Sequence, residues 1–177
     1  MRYFYDTEFI EDGRTIDLIS VGVVAEDGRE FYAVSTEFNA AAAGSWVRRH
    51  VLPQLPPRSH PAWMSRAELR QALYSFLLPG ARPGQRLPYD QRPELWAWVG
   101  AYDHVAIAQL WGDMTALPRE LPRYTRELRQ LWEFAGRPKL PAPPQGAHDA
   151  LVDARFNVVK YRESMAALAA KGPELAK

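Results

Sequence analysis

Two acids spaced two apart, Asp6 and Glu8 in "YDTEF", are the first residues of this 177-residue chain whose types and spacing bear on chemistry. On an extended strand their side chains leave the same face with Cα atoms about 6.5 to 7 Å apart, so both can reach one cation. A third acid, Asp103 in "YDHV", and a histidine followed at five residues by an aspartate, His148 and Asp153 in "HDALVDA", complete the set. Each has a plain structural alternative. An isolated D-x-E is usually a solvent-facing pair, although "YFYDTEF" is too aromatic for a wet edge. Asp103 alone reads as a helix N-cap, and Asp153 alone as a surface partner for Arg155 or Arg126. With no cysteine and four histidines in the chain, any metal here takes oxygen or imidazole ligands.

The flanking elements decide whether these residues can meet. Residues 2–10 read as a strand, and "RTIDLISVGVVAEDGREFYAVST" as two more joined at the Glu26-Asp27-Gly28 turn. "SRAELRQALYSFLL" carries Ser65 as N-cap with Glu68 three residues on, and Leu69, Ala72, Leu73, Phe76 and Leu77 at helical spacing. "ELWAWVGAY" reads as a buried strand and "DHVAIAQLWGDM" as the helix after it, which sets Asp103 at a strand-to-helix junction, the usual edge for an α/β active site. Residues 122–135 are compatible with a strand followed by a helix, which periodicity alone does not settle. Leu151, Ala154, Val158, Tyr161, Met165 and Leu168 mark one long C-terminal helix. Two proline-rich stretches, residues 79–93 and "GRPKLPAPPQG", are expected as exposed loops. Strands first, then alternating strand and helix, predict an α/β fold.

Composition sets the outer bounds. With 47% hydrophobic and 24% charged residues the chain is an ordinary globular one, expected as a single domain over residues 1–177. The opening lacks the apolar run of a secretion signal and no stretch approaches a membrane span, so a cytoplasmic protein with no membrane partner is expected. The net charge of +1 hides an asymmetry, since residues 1–38 hold nine acids against three arginines. The remainder is therefore basic. Arg48, Arg49, Arg66, Arg70, Arg119, Arg123, Arg126, Arg129, Arg137 and Lys139 are either a cationic surface for a polyanion or a scattered solvated face.

Taken in order, D-x-E on the first strand, an aspartate after a later strand and H-x-x-x-x-D near the last helix resemble the DEDDh 3′-to-5′ exonucleases. "DTEF" resembles their first motif, "YDHV" the second and "HDALVDA" the third, and the resemblance spans residues 3 to about 160. "MRYFYDTEFIEDG" and "GSWVRRHVLPQLPP" (44–57) are most similar to ribonuclease T-like enzymes and the small actinobacterial polyadenylate-specific 3′-exoribonucleases. The resemblance implies a ribonuclease H-like α/β fold with a mixed five-stranded sheet flanked by helices. It implies Asp6, Glu8, Asp103 and Asp153 as metal carboxylates, His148 as general base, and a homodimer. Two Mg²⁺ ions per site, or Mn²⁺, suit such hard oxygen donors. Two cations about 3.5 to 4 Å apart activate a water and stabilise the leaving 3′-oxygen of a phosphodiester. An imidazole with its ordinary pKa of about 6.5 is mostly neutral and able to accept a proton near pH 7.

The implied activity is hydrolysis of RNA from a free 3′ end, releasing 5′-mononucleotides. A DNA-directed exonuclease and a nonenzymatic RNA-binding module on the same scaffold are the competing readings. For substrate contacts, Phe9 is expected as a base-stacking platform, with core packing as its rival. The backbone N–H groups at Thr7 and Phe9 are expected to meet the terminal ribose. His60 and Trp63, in "PPRSHPAW", are second-rank candidates, and Trp46, Trp96, Trp98, Trp111 and Trp132 are expected in the core or at a subunit contact.

Overall fold

A computed structural model describes residues 1–171. Strands β1 (Arg2–Glu11), β2 (Ile16–Ala25) and β3 (Glu30–Ser35) form an antiparallel meander. Its first turn is tied by Asp12, whose Oδ1 accepts from the Arg14 and Thr15 N–H groups at 2.9 and 2.8 Å. On the other side of β1 lies β5 (Glu94–Ala97), parallel to it, followed by the two-residue β6 (Arg126–Glu127). A second two-residue strand, β4 (Trp63–Met64), lies parallel on the outer side of β3, giving the order β4-β3-β2-β1-β5-β6.

The fold class is the expected α/β sheet with flanking helices, but the sheet has six strands rather than five. The extra member is β4, anchored where Val34 N–H donates to the Ala62 carbonyl at 2.8 Å and Thr36 N–H to that of Met64 at 2.9 Å. Two residues inside a Pro/His loop carry no alternation from which a strand is read.

Helices α1 (Ser45–His50), α2 (Arg66–Leu77), α3 (Ala101–Ala108), α4 (Leu128–Phe134) and α5 (Ala150–Ala170) cover the sheet. Tyr3 and Tyr5 of β1 join Leu69, Leu73 and Leu77 of α2 and Ala106 and Ile107 of α3 in the main core. Between those tyrosines Phe4 alternates to the opposite face, where it meets Tyr161 of α5 at 5.0 Å between ring centroids. A smaller core under α1 joins Ile10, Ile19, Val34 and Val51.

The long helix α5 packs against β1 and β2, and this contact corrects the expected apolar stripe. Its fully buried positions are Ala150, Ala154, Asn157 and Ser164, whereas Met165 is 42% exposed. Close approach is the reason. A β-carbon at Gly22 of β2 would lie inside the van der Waals envelope of the Ala150 backbone, so the helix start rests on bare main chain. Small residues, rather than large apolar ones, fit that separation.

Candidate active site

Because β1 and β5 are parallel, their C-terminal ends open onto the same edge of the sheet. Asp6 and Glu8 project from β1, Asp103 from the first turn of α3, and Asp153 from the first turn of α5. All four line one cavity of about 440 Å³ with Phe9, Trp46 and His148. Ligand atoms of Glu8, His148 and Asp153 lie within 4.8 Å of one another. The register of β1 on β2 shifts between Glu8 and Phe9, a bulge of the kind that re-aims side chains beside active sites.

Each acid is aimed by a local device. Asp103 Oδ1 accepts both the Thr7 N–H at 2.8 Å and the Thr7 hydroxyl at 2.7 Å, which holds one carboxylate oxygen and leaves the other. Thr7 is therefore a positioning residue for Asp103. The expected donation of its N–H to a ribose is corrected, because that donor is already used. The α3 start is itself clamped by Glu127, whose two carboxylate oxygens accept from the Val99 N–H at 2.7 Å and the Gly100 N–H at 3.0 Å. Val99 is held there at φ 56°, a left-handed conformation costly for a β-branched residue.

At the α5 start, Asp149 is the N-cap, its Oδ1 accepting from Leu151 and Val152 N–H groups at 2.9 and 3.0 Å. Asp153 reaches back so that its Oδ2 accepts the His148 N–H at 2.8 Å. The five-residue spacing thus has a structural meaning. His148 sits outside the helix at φ 73°, and its backbone is tied to the acid that it accompanies.

The electrostatics of the cluster are unbalanced. Burial pushes Asp6 well above the ordinary carboxyl range, reinforced by Asp103, Glu8 and Asp153. Burial followed by Asp153 and Asp103 raises Glu8 to about 8. Asp103 is raised by burial despite its Thr7 hydrogen bonds. Lys160 supplies nearby positive charge, its own pKa lowered by burial and partly restored by Asp6 and Asp153. Asp6, Glu8 and Asp103 crowded until they resist ionisation, with one oxygen of Asp103 and one of Asp153 unbonded among the described residues, are a donor set that fits hard divalent cations.

Several members were not legible in advance. Asn157 and Lys160 share the α5 face of Asp153 at i+4 and i+7. Asn157 Nδ2 donates to the Tyr5 carbonyl at 2.9 Å, fixing β1 next to Asp6, and Lys160 Nζ donates to Asn157 Oδ1 at 2.9 Å. Trp46, expected in the core or at a subunit contact, is 51% exposed on the cavity wall. Its ring stands edge-on to His148 at 4.7 Å, with His50 5.2 Å from the tryptophan. Phe9 is half-buried and stacks on exposed Tyr102 at 5.9 Å and 8°.

His60 and Trp63 do not reach the cavity. His60 Nδ1 accepts from Ala62 N–H, and Trp63 donates to the Pro56 and Pro57 carbonyls between the Phe38 ring and the Arg58 guanidinium. The expected basic surface is also divided. Arg48 donates to the Ala41 and Ala43 carbonyls, Arg66 pairs with Asp17, and Arg129 and Arg137 share Glu133.

Residues 1–165 match the 3′-5′ exoribonuclease Rv2179c-like domain. The chain belongs to the Rv2179c-like exoribonuclease family. Among the similar curated proteins are two from Mycobacterium tuberculosis, 3′-5′ exoribonuclease Rv2179c of strain H37Rv and 3′-5′ exoribonuclease MT2234.1 of strain CDC 1551. Each is 62% identical over 162 residues, which cover 92% of this chain and 92% of the relative. The expected resemblance to actinobacterial 3′-exoribonucleases therefore holds at the level of the 3′-5′ exonuclease family. Among the described residues no helix of this Rv2179c-like chain is long and apolar enough to cross a membrane.

Proposed function

We propose that this protein is a divalent-metal-dependent 3′-5′ exoribonuclease of the DEDDh type, acting as one exonuclease domain in the cytoplasm and releasing 5′-mononucleotides. The observation that carries the reading is the convergence of Asp6, Glu8, Asp103 and Asp153 in one cavity, with the ionisation of Asp6, Glu8 and Asp103 suppressed. The 3′-5′ exoribonuclease activity for which the relatives are named supports the direction of cleavage and the RNA substrate.

The four carboxylates would hold two Mg²⁺ or Mn²⁺ ions. When bound, such ions supply the charge that activates a water and stabilises the leaving 3′-oxygen. The protein's own share is placement and proton transfer. Thr7 and Glu127 orient Asp103, Asn157 fixes β1 beside Asp6, and Asp149 starts the helix that carries Asp153. His148 accepts the proton of the attacking water at an imidazole nitrogen, with the Trp46 ring packed against it at 4.7 Å. The Phe9 and Tyr102 rings give the terminal base a stacking face that needs no sequence readout. A homodimer with RNA as its partner completes the reading.

The test compares wild type and Asp6→Ala on matched 5′-labelled single-stranded RNA and DNA, with Mg²⁺ or with EDTA, at nucleotide resolution. The expected result is a metal-dependent ladder on RNA that shortens from the 3′ end and is absent in the variant. A preference for DNA would replace the ribonuclease reading, and RNA binding without cleavage would replace the enzyme. Sedimentation of the same sample tests the dimer.

A further inference from the structure

Lys160 shares the α5 face of Asp153 and Asn157 and lies about 10 Å along the helix axis from Asp153. Its Nζ donates to Asn157 Oδ1 at 2.9 Å, and Asn157 Nδ2 donates to the Tyr5 carbonyl at 2.9 Å. One amide therefore ties the ammonium to the residue that precedes Asp6. Two aromatic rings flank it, with Nζ 4.7 Å from the Trp98 centroid and 4.8 Å from that of Phe156. Trp98 directly follows β5 and packs on Trp132 of α4 at 5.7 Å, so three elements of the fold build the cage.

An ammonium is strongly hydrated, and here ring faces and an amide oxygen replace part of its water. A contact ion pair is not the reason for the arrangement. Lys160 forms none among the described residues, whereas Arg155 of the same helix is clasped by Glu30 at 2.6 Å. The carboxylate oxygens of the cavity thus stay free of it, and its charge acts at longer range. Burial draws the Lys160 pKa down while Asp6 and Asp153 pull it back, the mark of an attraction that reaches both acids.

We infer that Lys160 sets the affinity of the carboxylate cluster for divalent ions, acting as a fixed internal cation that opposes their entry. The inference rests on the metal-dependent reading proposed above. Its sign follows from charge. Without ions, the ammonium faces the negative charge of Asp6 and Asp153, an attraction that favours the metal-free form. Two dications offset the formal charge of four carboxylates, so with ions bound that attraction is cancelled. Lys160 therefore stabilises the metal-free protein more than the loaded one. A centre tuned in this way releases its ions readily and fills only where Mg²⁺ is plentiful. A purely structural lysine would have the opposite consequence, because loosening α5 on β1 separates Asp153 from Asp6 and weakens metal binding.

The test titrates Mg²⁺ and Mn²⁺ by calorimetry, with no RNA present, into wild type, Lys160→Met, Lys160→Gln and Lys160→Arg. Methionine keeps an apolar stem beside the rings and removes the charge. The Mg²⁺ Kd of Lys160→Met is expected to fall roughly tenfold at low ionic strength, the effect of one charge on a dication about 10 Å away at an effective dielectric of about 20, after screening. Lys160→Gln should shift in the same direction, and Lys160→Arg, which keeps the charge, should stay closer to wild type. The rise in Tm on adding Mg²⁺ should be larger in both neutral variants than in wild type, by mass action. With RNA present, the Mg²⁺ concentration for half-maximal turnover should fall in parallel.

Unchanged or weaker Mg²⁺ binding in both neutral variants overturns the inference and leaves Lys160 a structural residue of the contact between α5 and β1. Equal tightening in Lys160→Arg overturns it too, since the charge is then not the cause. A wild type that binds neither Mg²⁺ nor Mn²⁺ removes the metal-dependent reading itself, and the inference with it.

Discussion

Helices α2 and α5 begin with the same device used to different ends. At α2, Ser65 and Glu68 form a reciprocal capping box: Glu68 Oε2 accepts the Ser65 N–H at 2.8 Å and the Ser65 hydroxyl at 2.7 Å. Those bonds hold Glu68 below its ordinary pKa, and the carboxylate is used up at the surface. At α5 the work is divided. Asp149 caps the helix, so Asp153 needs only one oxygen for the His148 N–H and keeps the other for the cavity. One helix start uses its acid for stability, whereas the other adds a second acid so that the first is free for chemistry.

The largest effect that would break this comparison is loss of Asp153. Asp153→Ala should lower kcat/KM by at least on the order of a thousandfold in a nuclease assay, because the proposed metal donor and the His148 anchor go together. Wild-type turnover in that variant would reduce α5 to an ordinary capped helix. His148→Ala should lower kcat by about 10² to 10⁴-fold with RNA affinity retained, as befits a group acting on the chemical step. Parallel loss of affinity would make the histidine a structural residue.

Charge crowding sets the next effect. Glu8 has a folded-state pKa of about 8 against an ordinary 4.5, so its contribution to stability is fully present below 4.5 and lost as pH rises through about 8. In EDTA, Glu8→Gln should therefore raise Tm relative to wild type above pH 8, with the difference vanishing below pH 4.5. Adding Mg²⁺ should stabilise wild type more than the variant. A Tm difference independent of both pH and metal would contradict the crowded-donor description.

The smallest effects sharpen the comparison most. Asp149→Ala and Ser65→Ala each remove one N-cap and should each lower stability by about 1 kcal/mol in denaturant titrations. Only Asp149→Ala should also lower turnover. Equal turnover in the two variants would show that cap identity at α5 has no bearing on the site.

Much of this site was legible because it lies in short local patterns. The D-x-E alternation, the Ser65 to Glu68 spacing, the turn at Gly28 and the H-x-x-x-x-D run all act within six residues. What escaped is what tertiary packing brings together. Trp46 reaches His148 across about a hundred residues, and nothing near "GSWVRRH" marks it as a cavity wall. Asn157 and Lys160 look like ordinary polar positions until α5 is laid on β1. The buried face of α5 differs from its large apolar spacing because the bare backbone at Gly22 selects small residues. Trp63 and His60 show the converse, polar atoms committed to neighbouring main chain, which sequence spacing does not reveal.

The hydrogen bond from Asn157 to the Tyr5 carbonyl joins residues 152 positions apart in the chain. Contacts of such long sequence separation carry a higher loop-closure cost than the local hairpins of β1, β2 and β3. During synthesis the strand bearing Asp6 and Glu8 leaves the ribosome long before His148 and Asp153 have been made. On the proposed reading, a growing polypeptide is therefore inert toward the message that encodes it, and nuclease activity begins only when the last helix closes over the first strand.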